Sequence, residues 1–199
     1  MNLIAIALVW AGYCIIHSFM ISIRFTQRLK EMLHNYYAFY RIFYVIVSFI
    51  LLYPVFYYTS KWSTPVIFHY SGFTNYVRYA LSALAILIFI KAFFIDYDLL
   101  SFFGIRQAMQ FGKSEVNMKG SITKSGLLGI VRHPMYFAVI IYLWCQTFRI
   151  SDIVANTVLT AYIFIGTMLE EQKLVLEFGD EYLKYKQEVP MLIPFTKFK

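Results

Sequence analysis

The sequence predicts an all-α, polytopic membrane protein of about five transmembrane helices, ending in a helical hairpin and an amphipathic cytoplasmic tail. Three observations carry that prediction. Hydrophobic residues make up 60% of the 199-residue chain and charged ones 15%, with a mean hydropathy of +0.60. Such a balance belongs to helices that face hydrocarbon rather than water. Apolar runs of about 20 residues recur, long enough for a hydrocarbon core of about 30 Å. Basic residues crowd into alternate loops. Residues 1–199 read as one membrane domain, with no internal repeat, low-complexity tract or soluble second domain.

The elements follow in order. Leu3–Ile23 opens the chain without a basic flank or a small-residue cleavage site, and it carries Trp10 and His17. It reads as a retained helix rather than a signal peptide. Phe39–Thr59 and Tyr76–Ile95 are the second and third spans. Asp96 and Asp98 read as the polar end of the third, and Lys91 as a side chain that reaches the same interface. Pro134–Phe148 is shorter and Ile153–Leu169 marginal. The polar turn at Arg149, Ser151 and Asp152 joins them into the hairpin.

Charge orients the spans. Arg24, Arg28, Lys30 and Arg41 lie in one loop, and Arg106, Lys113, Lys119, Lys124 and Arg132 in another. Lys173, Lys184, Lys186, Lys197 and Lys199 lie in the tail. Against these fourteen, only Lys61, Arg78 and Arg149 fall on the other side. The positive-inside rule then places the N-terminus outside and the tail in the cytoplasm, as five crossings require. A net charge of +7 would suit nucleic acid in a soluble chain, but here it flanks membrane spans, so lipid is the expected partner. Cys14 and Cys145 lie within apolar runs, and the four histidines (His17, His34, His69, His133) are scattered, so no disulfide framework or metal site is expected.

The chemistry concentrates at Gly126–Tyr136, Gly-Leu-Leu-Gly-Ile-Val-Arg-His-Pro-Met-Tyr. Proline suits a first helical position, where its missing N–H would be unpaired in any case. Arg132 and His133 therefore stand at a helix entrance, where free N–H groups favour an anion, and Tyr136 adds a hydroxyl. The competing reading is a basic flank anchored among lipid headgroups. Glu170 and Glu171 fall at the cytoplasmic end of the last span. Carboxylates at the hydrocarbon boundary are costly and mark a function or a buried partner, unless the helix end simply reaches water. Neighbours on a helix point about 100° apart, so one of the two is expected to face the hairpin interior. Beyond them Leu174, Phe178, Tyr182, Tyr185 and Val189 form an apolar stripe, with Gly179 as an internal cap and Pro190 and Pro194 as stops. Such a tail lies on the membrane surface or closes over the Arg-His-Pro entrance.

Taken in order, Gly126–Tyr136, Glu170–Glu171, Phe178-Gly179-Asp180-Glu181-Tyr182 with Tyr185, and Val189-Pro190 with Pro194 resemble the C-terminal half of the isoprenylcysteine carboxyl methyltransferase superfamily, which includes phospholipid methyltransferases. The resemblance covers roughly residues 99–195. Within it, Tyr97-Asp98-Leu99-Leu100, Phe103-Gly104-Ile105-Arg106-Gln107 and Val189–Pro194 are similar to methanethiol S-methyltransferases. His17-Ser18 and Tyr40-Arg41 resemble a membrane family linked to nitrogen-oxide reduction. One departure is Ala138, where many relatives have glycine; it would narrow a pocket.

The resemblance implies a cofactor, S-adenosylmethionine, bound within the bundle. It implies that His133, Pro134 and Tyr136 line one side and that Glu171, with Glu170, binds the ammonium or ribose. Arg132 would pair either the cofactor carboxylate or a glutamate of the next helix. Gly126, Leu127 and Val131 would present backbone to the adenine, and Tyr182 and Tyr185 would pack over the pocket. Arg132, His133 and Glu171 are the residues it puts nearest catalysis. The implied acceptor is small and apolar or lipid-borne: a small thiol first, an isoprenylcysteine carboxylate or phospholipid amine second. A non-catalytic membrane partner of a redox system is the reading outside enzymology.

Overall fold

The computed structural model describes residues 3–61, 64–112 and 122–196. In chain order it contains α1 (Leu3–Met20), α2 (Ile23–Leu33), α3 (Tyr40–Lys61), strand β1 (Val66–Phe68), α4 (Phe73–Lys91), α5 (Leu99–Phe102) and α6 (Ile105–Met109). Then follow α7 (Pro134–Trp144), the two-residue β2 (Phe148–Arg149), α8 (Ile150–Phe178) and α9 (Asp180–Glu188). Among the described residues, four helical stretches are long and apolar enough to cross a membrane: Leu3–Met20, Ile23–Lys61, Phe73–Asp96 and Ile150–Phe178. The protein is a multi-pass, helical membrane protein.

The first span ends at Met20, the loop expected after it holds helix α2, and the two hairpin helices also differ from the sequence reading. The fourth expected span contains only the 11 residues of α7 as helix, about 16 Å at 1.5 Å per residue. Tyr136 at its start bonds Glu170, and Trp144 at its end donates to Thr160 Oγ1 at 3.0 Å. Helix α7 thus runs antiparallel to the second half of α8. Helix α8 is the opposite case. It runs for 29 residues, so Glu170 and Glu171 lie inside it and not at its end. Past Glu171 the chain offers Gln172, Lys173 and Leu174, all good helix formers, and reaches no breaker before Gly179 at φ 60°.

Contacts divide the chain into two compact units. The first comprises residues 1–67, 99–117 and 149–159. Its core is Ile6, Trp10, Val55 and Ala155, and the Trp10 indole donates to Thr59 Oγ1 at 3.1 Å. Tyr44 on α3 bonds His17 on α1, so the polar groups of this pair meet each other and not lipid. The Phe103–Gln107 block belongs here. Gly104 (φ 82°) lies so close to α3 that a Cβ would fall 2.7 Å from Arg41 Cβ and 2.9 Å from the Ile42 nitrogen, while Arg41 Nε donates to the Phe102 carbonyl at 3.0 Å.

The second unit comprises residues 68–98, 118–148 and 160–199. Helix α4 packs along α7, and the nearly inaccessible Ala85, Ala92 and Ala138 are the small residues that close helix approach favours. Helix α4 does not stop at Lys91 but widens into a π turn, Ala92–Asp96, closed by the Tyr97 N–H on the Ala92 carbonyl at 3.0 Å. A 3-10 turn, Gly126–Gly129, then leads into the Arg-His-Pro entrance of α7.

Candidate active site

All the sequence-predicted site residues fall in the second unit. Gly126 and Leu127 form the 3-10 turn, with Gly126 at φ 63°. Val131, Arg132 and His133 are buried, and Pro134 is the first residue of α7. Glu171 is 3% exposed, and Tyr182 and Tyr185 are buried with Val189 beneath Leu174, Val175 and Phe178.

At the centre is a carboxylate shared by three cationic or polar groups. Glu171 Oε1 accepts from Arg132 Nε at 2.6 Å and from His133 Nε2 at 3.2 Å. Glu171 Oε2 lies 3.2 Å from Lys186 Nζ. Charges this deep persist only when paired and fully hydrogen-bonded. The guanidinium meets that need, since its Nη1 also donates to the carbonyls of Lys186 (3.0 Å) and Val189. Arg132 therefore pairs a glutamate of the next helix, one of the two partners left open by the sequence.

One of the two glutamates was expected to face the hairpin interior, yet both meet the α7 entrance. Tyr136, one turn into α7, donates to Glu170 Oε2 at 2.9 Å, and the Tyr136 and His133 rings stack 5.6 Å apart. The two rings form a shelf broad enough to meet side chains about 100° apart on α8.

The tail closes over the entrance. The N–H groups of Arg132 and His133 donate to the carbonyls of Pro190 (2.9 Å) and Met191 (3.1 Å). The backbone N–H groups of Arg132 and His133 thus bind the tail, and those of the first turn of α7 are not the ones it uses. Tyr185 donates its hydroxyl to the Leu128 carbonyl at 2.6 Å, and Lys124 pairs with Glu188 at 2.7 Å. Burial pushes the Tyr185 phenol up to about 12, with Arg132 pulling the other way.

Three residues escaped the sequence reading. Lys186 figured there only as a tail charge. Tyr97 is half-buried beside Glu170, Tyr185 and Asp96, and its phenol is held well above the usual range by burial first and those charges second. Asp96, the polar end of its helical stretch as expected, also lies against the turn: a Cβ on Gly126 would stand 3.1 Å from Asp96 Oδ1. Its Oδ2 and His133 Nδ1 are buried without a hydrogen-bond partner among the described residues. No grouping of His, Cys, Asp and Glu suited to a metal occurs among the described residues.

Fold and site together define a helical, multi-pass membrane protein with a buried polar centre under its C-terminal tail. The chain belongs to the family described as protein of unknown function DUF1295, whose model matches residues 3–187. It is similar to the methanethiol S-methyltransferase of Pseudomonas deceptionensis, 36% identical over 109 residues, 54% of this chain and 41% of that protein. It is also similar to methanethiol S-methyltransferase 2 of Bradyrhizobium diazoefficiens, 32% identical over 155 residues, covering 76% and 58%. The enzyme of the same name from Crocosphaera subtropica is 30% identical over 121 residues, covering 60% and 47%. The matched regions span about half the length of these relatives. No solved structure matches the chain significantly.

Proposed function

We propose that this protein is a membrane-embedded methyltransferase that uses S-adenosylmethionine to methylate a small thiol. The observation that carries the reading is the shared name of the relatives, methanethiol S-methyltransferase. The donor set gives it independent support. S-adenosylmethionine presents an ammonium, hydroxyls and a sulfonium, and the second unit holds buried acceptors with capacity to spare: His133 Nδ1 and Asp96 Oδ2. Gly126, with no side chain and a positive φ, leaves backbone open beside them.

The residues that would hold the donor are His133, Tyr136 and Glu170 on one side and Asp96, Tyr97 and the Gly126–Val131 turn on the other. Bound there, S-adenosylmethionine would supply an activated methyl group. Arg132, Glu171 and Lys186 are paired with one another, so their work is to fix the His133 ring and the tail. Pro134, at the first position of α7, sets the direction from which His133 and Tyr136 enter. Tyr182 and Tyr185 keep water from the centre, which strengthens every charge interaction within it. Alignment of acceptor sulfur, methyl and donor sulfur can supply several kcal/mol, in the way measured for well-oriented reactants. A thiol small enough to cross lipid reaches this centre without a tunnel, whereas a prenyl chain needs a lateral opening. The N-terminus is placed outside and the tail in the cytoplasm by the loop charges.

The test is a side-by-side assay of purified protein in lipid with radiolabelled methyl donor. Labelling of a small alkyl thiol well above that of prenylated cysteine or phosphatidylethanolamine is expected. Labelling confined to a lipid-like acceptor overturns the choice of substrate. No binding of S-adenosylhomocysteine to the folded protein overturns the methyltransferase reading itself.

A further inference from the structure

The carboxylates of the second unit are unequally occupied. Glu171 has cations on both oxygens, and Glu170 holds the Tyr136 hydroxyl. Asp96 alone keeps a buried oxygen, Oδ2, with no hydrogen-bond partner among the described residues. A carboxylate oxygen so placed costs free energy unless something donates to it.

The backbone presents this side chain deliberately. Had α4 continued as an α-helix, the Tyr97 N–H would have bonded the Phe93 carbonyl; it bonds the Ala92 carbonyl instead, at 3.0 Å. That π turn rotates Asp96 and Tyr97 out of the α4 register, and single π turns within helices concentrate at functional sites. On the facing side Gly126 has no Cβ, and one built there would crowd Asp96 Oδ1 at 3.1 Å. The carboxylate and the glycine turn thus abut. With Glu170 acting on Tyr97 as well, the local balance is negative beside the Glu171 cluster, whose own charge Arg132 and Lys186 offset.

We propose that Asp96 is the residue that receives the ammonium group of an S-adenosyl amino acid, holding the amino-acid end of the ligand against the Gly126 turn. The inference rests on the methyl-donor reading above. An ammonium matches the need better than a hydroxyl or an adenine amine, because it brings both donors and the opposite charge, and charge-assisted bonds are about twice as strong as neutral ones.

The test is calorimetric, on the full-length, detergent-purified protein. S-adenosylhomocysteine and its analogue with the amino group replaced by hydrogen are titrated into wild type, Asp96→Asn and Asp96→Ser. Thermal melts select the variant that folds; both keep a polar side chain of similar or smaller size. Wild type is expected to prefer S-adenosylhomocysteine, and the variant to lose about 10- to 100-fold of that affinity. Its affinity for the deaminated analogue is expected to stay within about two-fold of wild type. Unchanged affinity for S-adenosylhomocysteine in a folded variant overturns the assignment. So does an equal loss for both ligands, which makes Asp96 a support of the turn. Wild type that binds neither ligand rejects the donor reading, an outcome visible without any variant.

Discussion

Replacing Arg132 and Glu171 singly and together tests whether their pair is the keystone of the tail. Their side chains are 6% and 4% exposed and meet at 2.6 Å. Removing one member of a buried pair leaves the other charge uncompensated and costs about 3–5 kcal/mol, whereas replacing both by apolar groups is often close to neutral. Here the survivors keep some help: Glu171 would retain His133 and Lys186, and Arg132 the Lys186 and Val189 carbonyls. The expected cost of Glu171→Gln, or of Arg132→Met, is therefore at the low end, about 3 kcal/mol. For a chain of this size that corresponds to a fall of about 6–12 °C in Tm. The double variant is expected to lose less than the sum, with a coupling of about 1.5–3 kcal/mol. Lys186→Met serves as the comparator, because Lys186 is 36% exposed and its bond to Glu171 is worth about 0–1 kcal/mol. Melting curves of the four proteins in one detergent give the cycle. Coupling below about 0.5 kcal/mol refutes the reasoning, since two side chains in a buried contact cannot then be acting on each other.

Two further outcomes are expected. Gly104→Ala forces a Cβ to 2.7 Å from Arg41 Cβ at a φ of 82°, so strain and overlap together should cost about 2–4 kcal/mol, read as a lowered Tm; an unchanged melt would mean that α3 and the Phe103–Gln107 block separate freely. Single cysteines at Ser60 and Lys184, in a chain with Cys14 and Cys145 replaced by serine, should react with a membrane-impermeant maleimide from opposite faces of the bilayer; labelling of both from one face contradicts the proposed orientation.

Much of this arrangement was legible from residue spacing. The three N-terminal spans follow from apolar length alone, because lipid demands an unbroken apolar helix. Pro134 at a helix start, Gly179 as a break and the stripe through Tyr182, Tyr185 and Val189 follow from local rules that hold wherever the chain goes. The length of α8 was not legible. Hydropathy falls at Glu170, and although a glutamate was one of two partners open to Arg132, the sequence did not show that Glu171 meets both Arg132, 39 residues earlier, and Lys186, 15 later, so that the helix can continue through it. The π turn was hidden for a similar reason, as its one wide hydrogen bond leaves no mark on the pattern of Ala92–Asp96. Asp96 does end the helical stretch, as its sequence position suggested, but its approach to Gly126 was not legible.

The pairing of Glu171 also changes what the glutamates can do. A carboxylate that already serves Arg132, His133 and Lys186 has little attraction left for a ligand cation, since each partner has offset part of its charge. Substituting it would reduce activity through His133 and the tail, and a loss of ligand affinity in Glu171→Gln could not by itself mark a binding residue. Glu170 and Asp96 are different. Glu170 accepts the neutral Tyr136 hydroxyl, and Asp96 Oδ2 has no hydrogen-bond partner among the described residues, so both leave acceptor capacity for a ligand. A bound sulfonium and ammonium would offset their charge, and an incoming thiolate would in turn be drawn to the sulfonium. The centre is thus suited to a cationic donor and an anionic sulfur, and the tail, held by Tyr185 on Leu128 and by Arg132 and His133 on Pro190 and Met191, keeps the water out that would screen both.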